Sequence, residues 1–155
     1  MSFYFAQDYD DEIKKYYKYT LGSHNAEEIN TNLRVRFGDR LSELNILQKF
    51  KEFKEKLNHF KGKNESVNEY KKLYDEIVLE YNGIFDKANE IWKFNIRLIR
   101  NLEYKGKEIS NKTGKNGLYN INKEILDNTV DSYIKLDKSL IIIKNKINDL
   151  IKLII

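Results

Sequence analysis

Residues that could perform acid–base or metal chemistry are few and scattered in this 155-residue chain. The two histidines, His24 and His59, lie far apart in the sequence. Glu52 and Glu55 fall roughly on one helical face with His59, but the Glu-x-x-His pairs of di-iron helical bundles are absent. Because such polar clusters are usually exposed, this one is typical of a solvated helix end.

The sequence Thr113-Gly114-Lys115 is the nearest approach to a phosphate-binding loop. A Walker A loop needs a second glycine five residues before this one, and Ser or Thr after the lysine. The chain has Ile109 and Asn116 at those two positions, so the motif fails twice. It also lacks cysteine, which excludes thiolate metal sites and disulfides. We therefore expect a protein that is not an enzyme and uses no metal or cofactor.

A basic stripe is predicted near the end of the longest helical pattern and in the loop after it. Two of the five arginines of the chain lie in this stripe, so codon usage explains it poorly. The competing interpretation is a solvated outer face, because long bundles need charged outer faces. The stripe consists of Lys93, Arg97, Arg100, Lys105, Lys107, Lys112 and Lys115.

Tyrosines and lysines alternate near the N-terminus. Rings placed between cations suit the stacking of single-stranded bases. They suit a protein interface equally well, because tyrosine offers a large contact area at low entropic cost. The candidate partner-binding residues here are Tyr9, Lys14, Lys15, Tyr16, Tyr17, Lys18 and Tyr19.

The net charge of +4 suggests nucleic-acid binding, but the amino-acid composition weakens that suggestion. Lys, Asn, Ile and Tyr are abundant and have A/T-rich codons, so a low-GC organism explains the lysines equally well. The N-terminal residues lack the basic start and apolar run of a secretory signal. Charged residues interrupt the apolar C-terminal stretch, so no membrane span is expected. The sequence predicts a cytoplasmic location, in the producing cell or its host.

The central element is a long helix over residues 66–109. Apolar residues recur at alternating steps of three and four positions from Val67 to Ile109, which is the heptad spacing of a helix packed against partners. Ser66 and Glu69 have the spacing of a capping box at its start. The heptad phase passes through Gly83 without slipping, so we expect a continuous helix with a local bend there.

The same spacing predicts two further long helices, over residues 25–61 and 120–155. Within the first, residues 33–37 also alternate at period two, which leaves a strand as the alternative. Gly38 is a candidate kink. Asn95 is a polar residue at a seam position, where it would set helix register at some cost in stability.

Three long helices joined by short connections can only run up, down and up. The predicted fold is therefore a single all-α domain, an elongated antiparallel three-helix bundle with coiled-coil-like packing. Residues 1–22 add an aromatic segment and a short helix that begins near Asp8. Several apolar residues lie off the seams and need a cover, which the N-terminal helix, a second copy in a homo-oligomer or a partner could supply: Leu79, Ile96, Ile134, Ile141 and Ile142.

The leading functional hypothesis is a non-enzymatic helical binding protein. It would be a regulator or inhibitor, encoded by a phage or another mobile element, that engages a larger host protein or nucleoprotein complex. The alternative is an accessory protein that binds single-stranded RNA or DNA. A third hypothesis is a structural coiled coil that assembles only with itself.

Overall fold

The computed structural model of the chain describes residues 23–62, 64–104 and 117–154. Helix α1 spans Ser23–Leu44 and α2 spans Ile46–Asn58. Helix α3 spans Asn64–Tyr104 and α4 spans Gly117–Leu153. Within the described ranges there is no strand. The all-α prediction is therefore confirmed, and residues 33–37 are helical.

Helices α3 and α4 are antiparallel. Lys146 donates a hydrogen bond to Glu80 in the first half of α3, and Asn95, in the second half of α3, donates one to Thr129 of α4. As the contacts advance along α3, they retreat along α4, so the chain reverses direction between the two helices.

Helix α1 runs parallel to α4, since its contacts advance along both helices together. The ring of Phe37 stacks on that of Tyr133 with centroids 5.4 Å apart, and one turn later Arg40 donates to Asp137 at 2.7 Å. Helix α1 is consequently antiparallel to α3. The three-helix, up-down-up bundle predicted from the heptads is confirmed, whereas the predicted N-terminal helix lies outside the described residues.

The predicted helix over residues 25–61 is divided at Asn45 rather than kinked at Gly38. Asn45 has a left-handed backbone with φ 56°, a conformation that asparagine tolerates better than most residues. Its N–H still donates to Leu41 O at 3.3 Å, and its own carbonyl accepts from the Lys49 N–H at 3.3 Å. The backbone hydrogen bonds therefore continue through the bend at Asn45, and beyond it α2 runs in a different direction from α1.

Helix α3 is continuous through Gly83, as the heptad phase predicted, and its 41 residues extend about 60 Å at 1.5 Å per residue. It begins at Asn64, so Ser66 lies inside the first turn and does not start the helix. The described part ends at Tyr104; residues 105–109 of the predicted helix lie outside it. Helix α4 begins at Gly117, three residues before the predicted start.

The core lies along the common axis of the helices, and α2 contributes to it through aromatic rings. Phe53 stacks on Tyr74 with centroids 4.8 Å apart. Phe50 meets the edges of Tyr74 and Tyr81 at 5.7 and 5.5 Å. Among the described helices, none is long and apolar enough to cross a bilayer.

Candidate partner-binding surface

The described structure contains three members of the predicted site. Lys93, Arg97 and Arg100 lie on α3 and are all exposed. They fall within one side of the helix, since their spacings of three, four and seven residues return to similar angles. The other predicted members lie outside the described residues: Tyr9, Lys14, Lys15, Tyr16, Tyr17, Lys18, Tyr19, Lys105, Lys107, Lys112 and Lys115.

Arg100 is held by α1. Its Nε donates to Glu27 Oε1 at 2.6 Å, and the Arg100 side chain remains 68% exposed. The ion pair therefore joins the first turns of α1 to the last turn of α3 while the guanidinium still faces solvent. Since the Arg100 side of the pair is mostly exposed to solvent, the contribution of the pair to stability is small.

The charged side of α3 is mixed rather than purely basic. Asp86 and Glu90 precede Lys93 and Arg97 by seven residues, which places them on the same side of the helix, and both are exposed. The stripe predicted from the sequence begins at Lys93 and leaves out Asp86 and Glu90, although their heptad spacing already places them on the same side of the helix.

The described residues to which the predicted segments are attached lie at one end of the bundle. Helix α1 begins at Ser23, and four residues later Glu27 contacts Arg100. Helix α3 ends at Tyr104 and α4 begins at Gly117, at the same end. Residues 1–22 and 105–116 are therefore both attached to the bundle next to Arg100.

The interior below this end holds a polar layer that links three helices. Asn95 Nδ2 donates to Asn30 Oδ1 at 3.0 Å and to Thr129 Oγ1 at 2.6 Å. Asn30 Nδ2 donates in turn to the Trp92 carbonyl at 3.1 Å, and Thr129 Oγ1 to the Ile125 carbonyl at 2.8 Å. Because the layer is buried and its groups bond to one another, it aligns the helices rather than receiving a ligand.

A second polar layer lies farther along α1. Arg40 Nε donates to Asp137 Oδ1 at 2.7 Å, and the two side chains are 11% and 3% exposed. Burial by itself lowers the pKa of the Arg40 guanidinium, but its hydrogen bond and charge interaction with Asp137, supported by Glu43, outweigh that effect and raise the pKa. Close by, burial raises the pKa of the Tyr133 hydroxyl. Both groups therefore keep their ordinary charge states.

In the part of the chain that the structure describes, no three His, Asp or Glu side chains lie close enough together to bind a metal ion. His59 is exposed at the end of α2.

The off-seam apolar residues divide into two groups: Ile96, Ile134 and Ile141 are half-buried, whereas Leu79 and Ile142 are 73% and 55% exposed.

No protein-family model matches the chain, and neither the curated proteins nor the solved structures include one significantly similar to it.

Proposed function

We propose that the protein is a non-enzymatic helical binding protein that contacts a macromolecular partner with one end of its bundle. The observation that carries the proposal is the contact of Glu27 with Arg100. Through it, the attachment points of the Tyr-rich segment 1–22 and of the Lys-rich segment 105–116 lie beside the exposed cations of α3. Residues that are distant in sequence are thereby attached to one site.

Charge favours a protein or nucleoprotein partner over bare nucleic acid. Asp86 and Glu90 would repel phosphates from the same side of α3 that carries Lys93 and Arg97. Tyrosine and arginine are enriched in protein interfaces, where they supply much of the binding energy, and the segment attached at Ser23 is rich in tyrosine. The role of a regulator or inhibitor encoded by a mobile element stays a prediction from composition.

The proposal is tested by capturing partners of the full chain from a lysate of the native host, with and without nuclease. We expect a protein partner that persists after nuclease and is lost when Lys93→Glu and Arg97→Glu are combined. Lys51→Glu with Lys71→Glu is the matched control, because it reverses two exposed lysines in the part of the bundle formed by α2 and the start of α3. Capture that survives the first pair of reversals would contradict the proposal.

Nucleic-acid binding is the alternative outcome of the same experiment. In that case nuclease would remove all captured partners, and purified single strands would bind with a steep salt dependence. Each lost phosphate contact would then reduce the slope of log affinity against log salt by about 0.7–0.9. A complex held by exposed cations also weakens as salt rises, so persistence after nuclease is the result that distinguishes a protein partner from nucleic acid.

A further inference from the structure

The side of the bundle formed by α3 and α4 exposes apolar residues that none of the described helices covers. On this α3/α4 face Leu73, Phe94 and Ile142 are 38%, 63% and 55% exposed. The groove between α1 and α3 is different, because Arg34 lies over the Phe85 ring at 5.3 Å and bridges the two helices.

We propose that the α3/α4 face binds the same face of a second copy of this chain, with the two copies antiparallel. A two-fold interface must be self-complementary, so each residue has to suit the residue that the symmetry places opposite it. Seen along a helix, the symmetry pairs positions at equal distances on either side of the two-fold axis. The α3/α4 face can be tested against that requirement, row by row.

The row on α3 satisfies the requirement. Leu73, Glu80, Lys87 and Phe94 are spaced by seven residues and lie on one side of the helix. With the axis beside Gly83, Leu73 faces Phe94 of the second copy, and Glu80 faces Lys87. Apolar residues thus meet apolar residues, and an acid meets a base, on both sides of the axis.

The row on α4 has the same property. Lys135, Ile142 and Asp149 are again spaced by seven residues. With the axis at Ile142, this residue meets its own copy, and Lys135 faces Asp149 twice. Electrostatic complementarity of this kind fixes the register of an interface and disfavours other arrangements.

The two rows share one axis, which is an independent requirement. Gly83 and Ile84 of α3 line the same depression of about 360 Å³ as Ile142 and Ile143 of α4. The centres of the two rows therefore lie at the same level of the bundle. A single two-fold axis across the face satisfies both helices at once.

Gly83 occupies the position where this symmetry brings the two copies of α3 together. A glycine inside a helix destabilises that helix relative to alanine, so a compensating role is expected for Gly83. A Cβ added at Gly83 would meet nothing within 4 Å, so the packing of the chain itself does not require the glycine. At the axis, the missing side chain allows close approach of the second backbone.

The size of the face fits a reversible dimer. Residues 73–94 extend about 32 Å along α3, and a face two helices wide, about 18–20 Å, covers about 600 Å² per copy. The total of about 1,200 Å² lies at the low end of specific interfaces. Glu76 and Glu90 would face each other across the axis, as would Lys138 and Lys146 on α4, and these repulsions further weaken the dimer.

Sedimentation of the full chain over a range of concentrations tests the charge pattern. We expect a monomer–dimer equilibrium in which Lys87→Glu weakens the dimer about tenfold or more, because it places an acid opposite Glu80. Glu90→Lys should tighten the dimer about tenfold by turning the repulsion by Glu76 into attraction. That gain cannot arise from misfolding. Lys71→Glu, which lies off the face, should leave the dimer unchanged.

Cross-linking through introduced cysteines tests the register of the dimer, and the chain has no natural cysteine that could react instead. Ile142→Cys, at the residue that the symmetry places against its own copy, should form a disulfide on mild oxidation. Val35→Cys, as exposed as Ile142 at 55% but located on α1, should not. A short bis-maleimide should join a mixture of Leu73→Cys and Phe94→Cys chains, but neither alone. A chain that remains monomeric at every concentration, or a dimer that cross-links at Val35 and not at Ile142, would overturn the proposal.

Discussion

The two halves of the bundle are held together by different means. Around α1 the interior contains hydrogen-bonded polar layers, represented by Asn95 and by the buried pair of Arg40 and Asp137. Around α2 it contains rings, with Phe53 stacked on Tyr74 and no polar layer among the buried residues of α2 itself. Hydrogen bonds tolerate less change in geometry than the packing of rings does, so the α1 half determines how the helices are aligned, whereas the α2 half mainly excludes water.

The largest effect is expected from breaking the ion pair of the α1 half. Asp137→Ala leaves the Arg40 charge buried without its main partner, which should lower the free energy of unfolding by about 3–5 kcal/mol. Urea titration followed by circular dichroism measures the loss. Replacing both residues, as Arg40→Met with Asp137→Leu, is the control, because an apolar pair of similar volume should be neutral or stabilising by about 1–4 kcal/mol. A double variant as unstable as the single one would contradict this account.

A smaller effect is expected at the polar layer. From the heptads alone, Asn95→Leu would raise the melting temperature, since it extends the apolar seam. In the structure, that change removes the donor to Asn30 and Thr129, so we expect a loss of about 1–3 kcal/mol in the free energy of unfolding. Asn82→Leu at an exposed position of the same helix should change it by less than about 0.5 kcal/mol. An Asn95→Leu protein that melts at a higher temperature would restore the simpler interpretation.

The smallest effect is expected in the α2 half. Phe53→Leu keeps an apolar residue of moderate size in the same space, so the free energy of unfolding should fall by less than about 1.5 kcal/mol. The same urea titration provides the value. If the loss equalled that of Asp137→Ala, the rings would be as specific as the polar layers, and the comparison between the two halves would fail.

Helix type and direction could be predicted from the sequence because heptad spacing repeats over many turns, as it does on both sides of Gly83. The division at Asn45 was not predicted, although the step of two residues from Leu44 to Ile46 interrupts the spacing of three and four there. The pairing of Arg40 with Asp137 could not be predicted from the sequence either, since the two residues lie 97 positions apart. Asn95 was identified as a seam residue, but its partners were not.

The candidate site was predicted less completely than the fold. Exposure of Lys93 and Arg97 follows from their outer heptad positions, and the structure agrees. The contact of Arg100 with Glu27 depends on how α1 packs against α3, which composition and spacing do not reveal. That contact nevertheless brings the start of α1 next to the end of α3.

The sequence separation of the Arg40–Asp137 pair has a consequence for the order of folding. Helices α3 and α4 meet through contacts such as Asn95–Thr129, which are only 34 residues apart, so they can form a hairpin early. Docking α1 beside α4 closes a much longer loop and pays a larger entropy cost. The ion pair is therefore expected to form after the rate-limiting barrier. Its loss would then shorten the lifetime of the folded protein while leaving the folding rate almost unchanged.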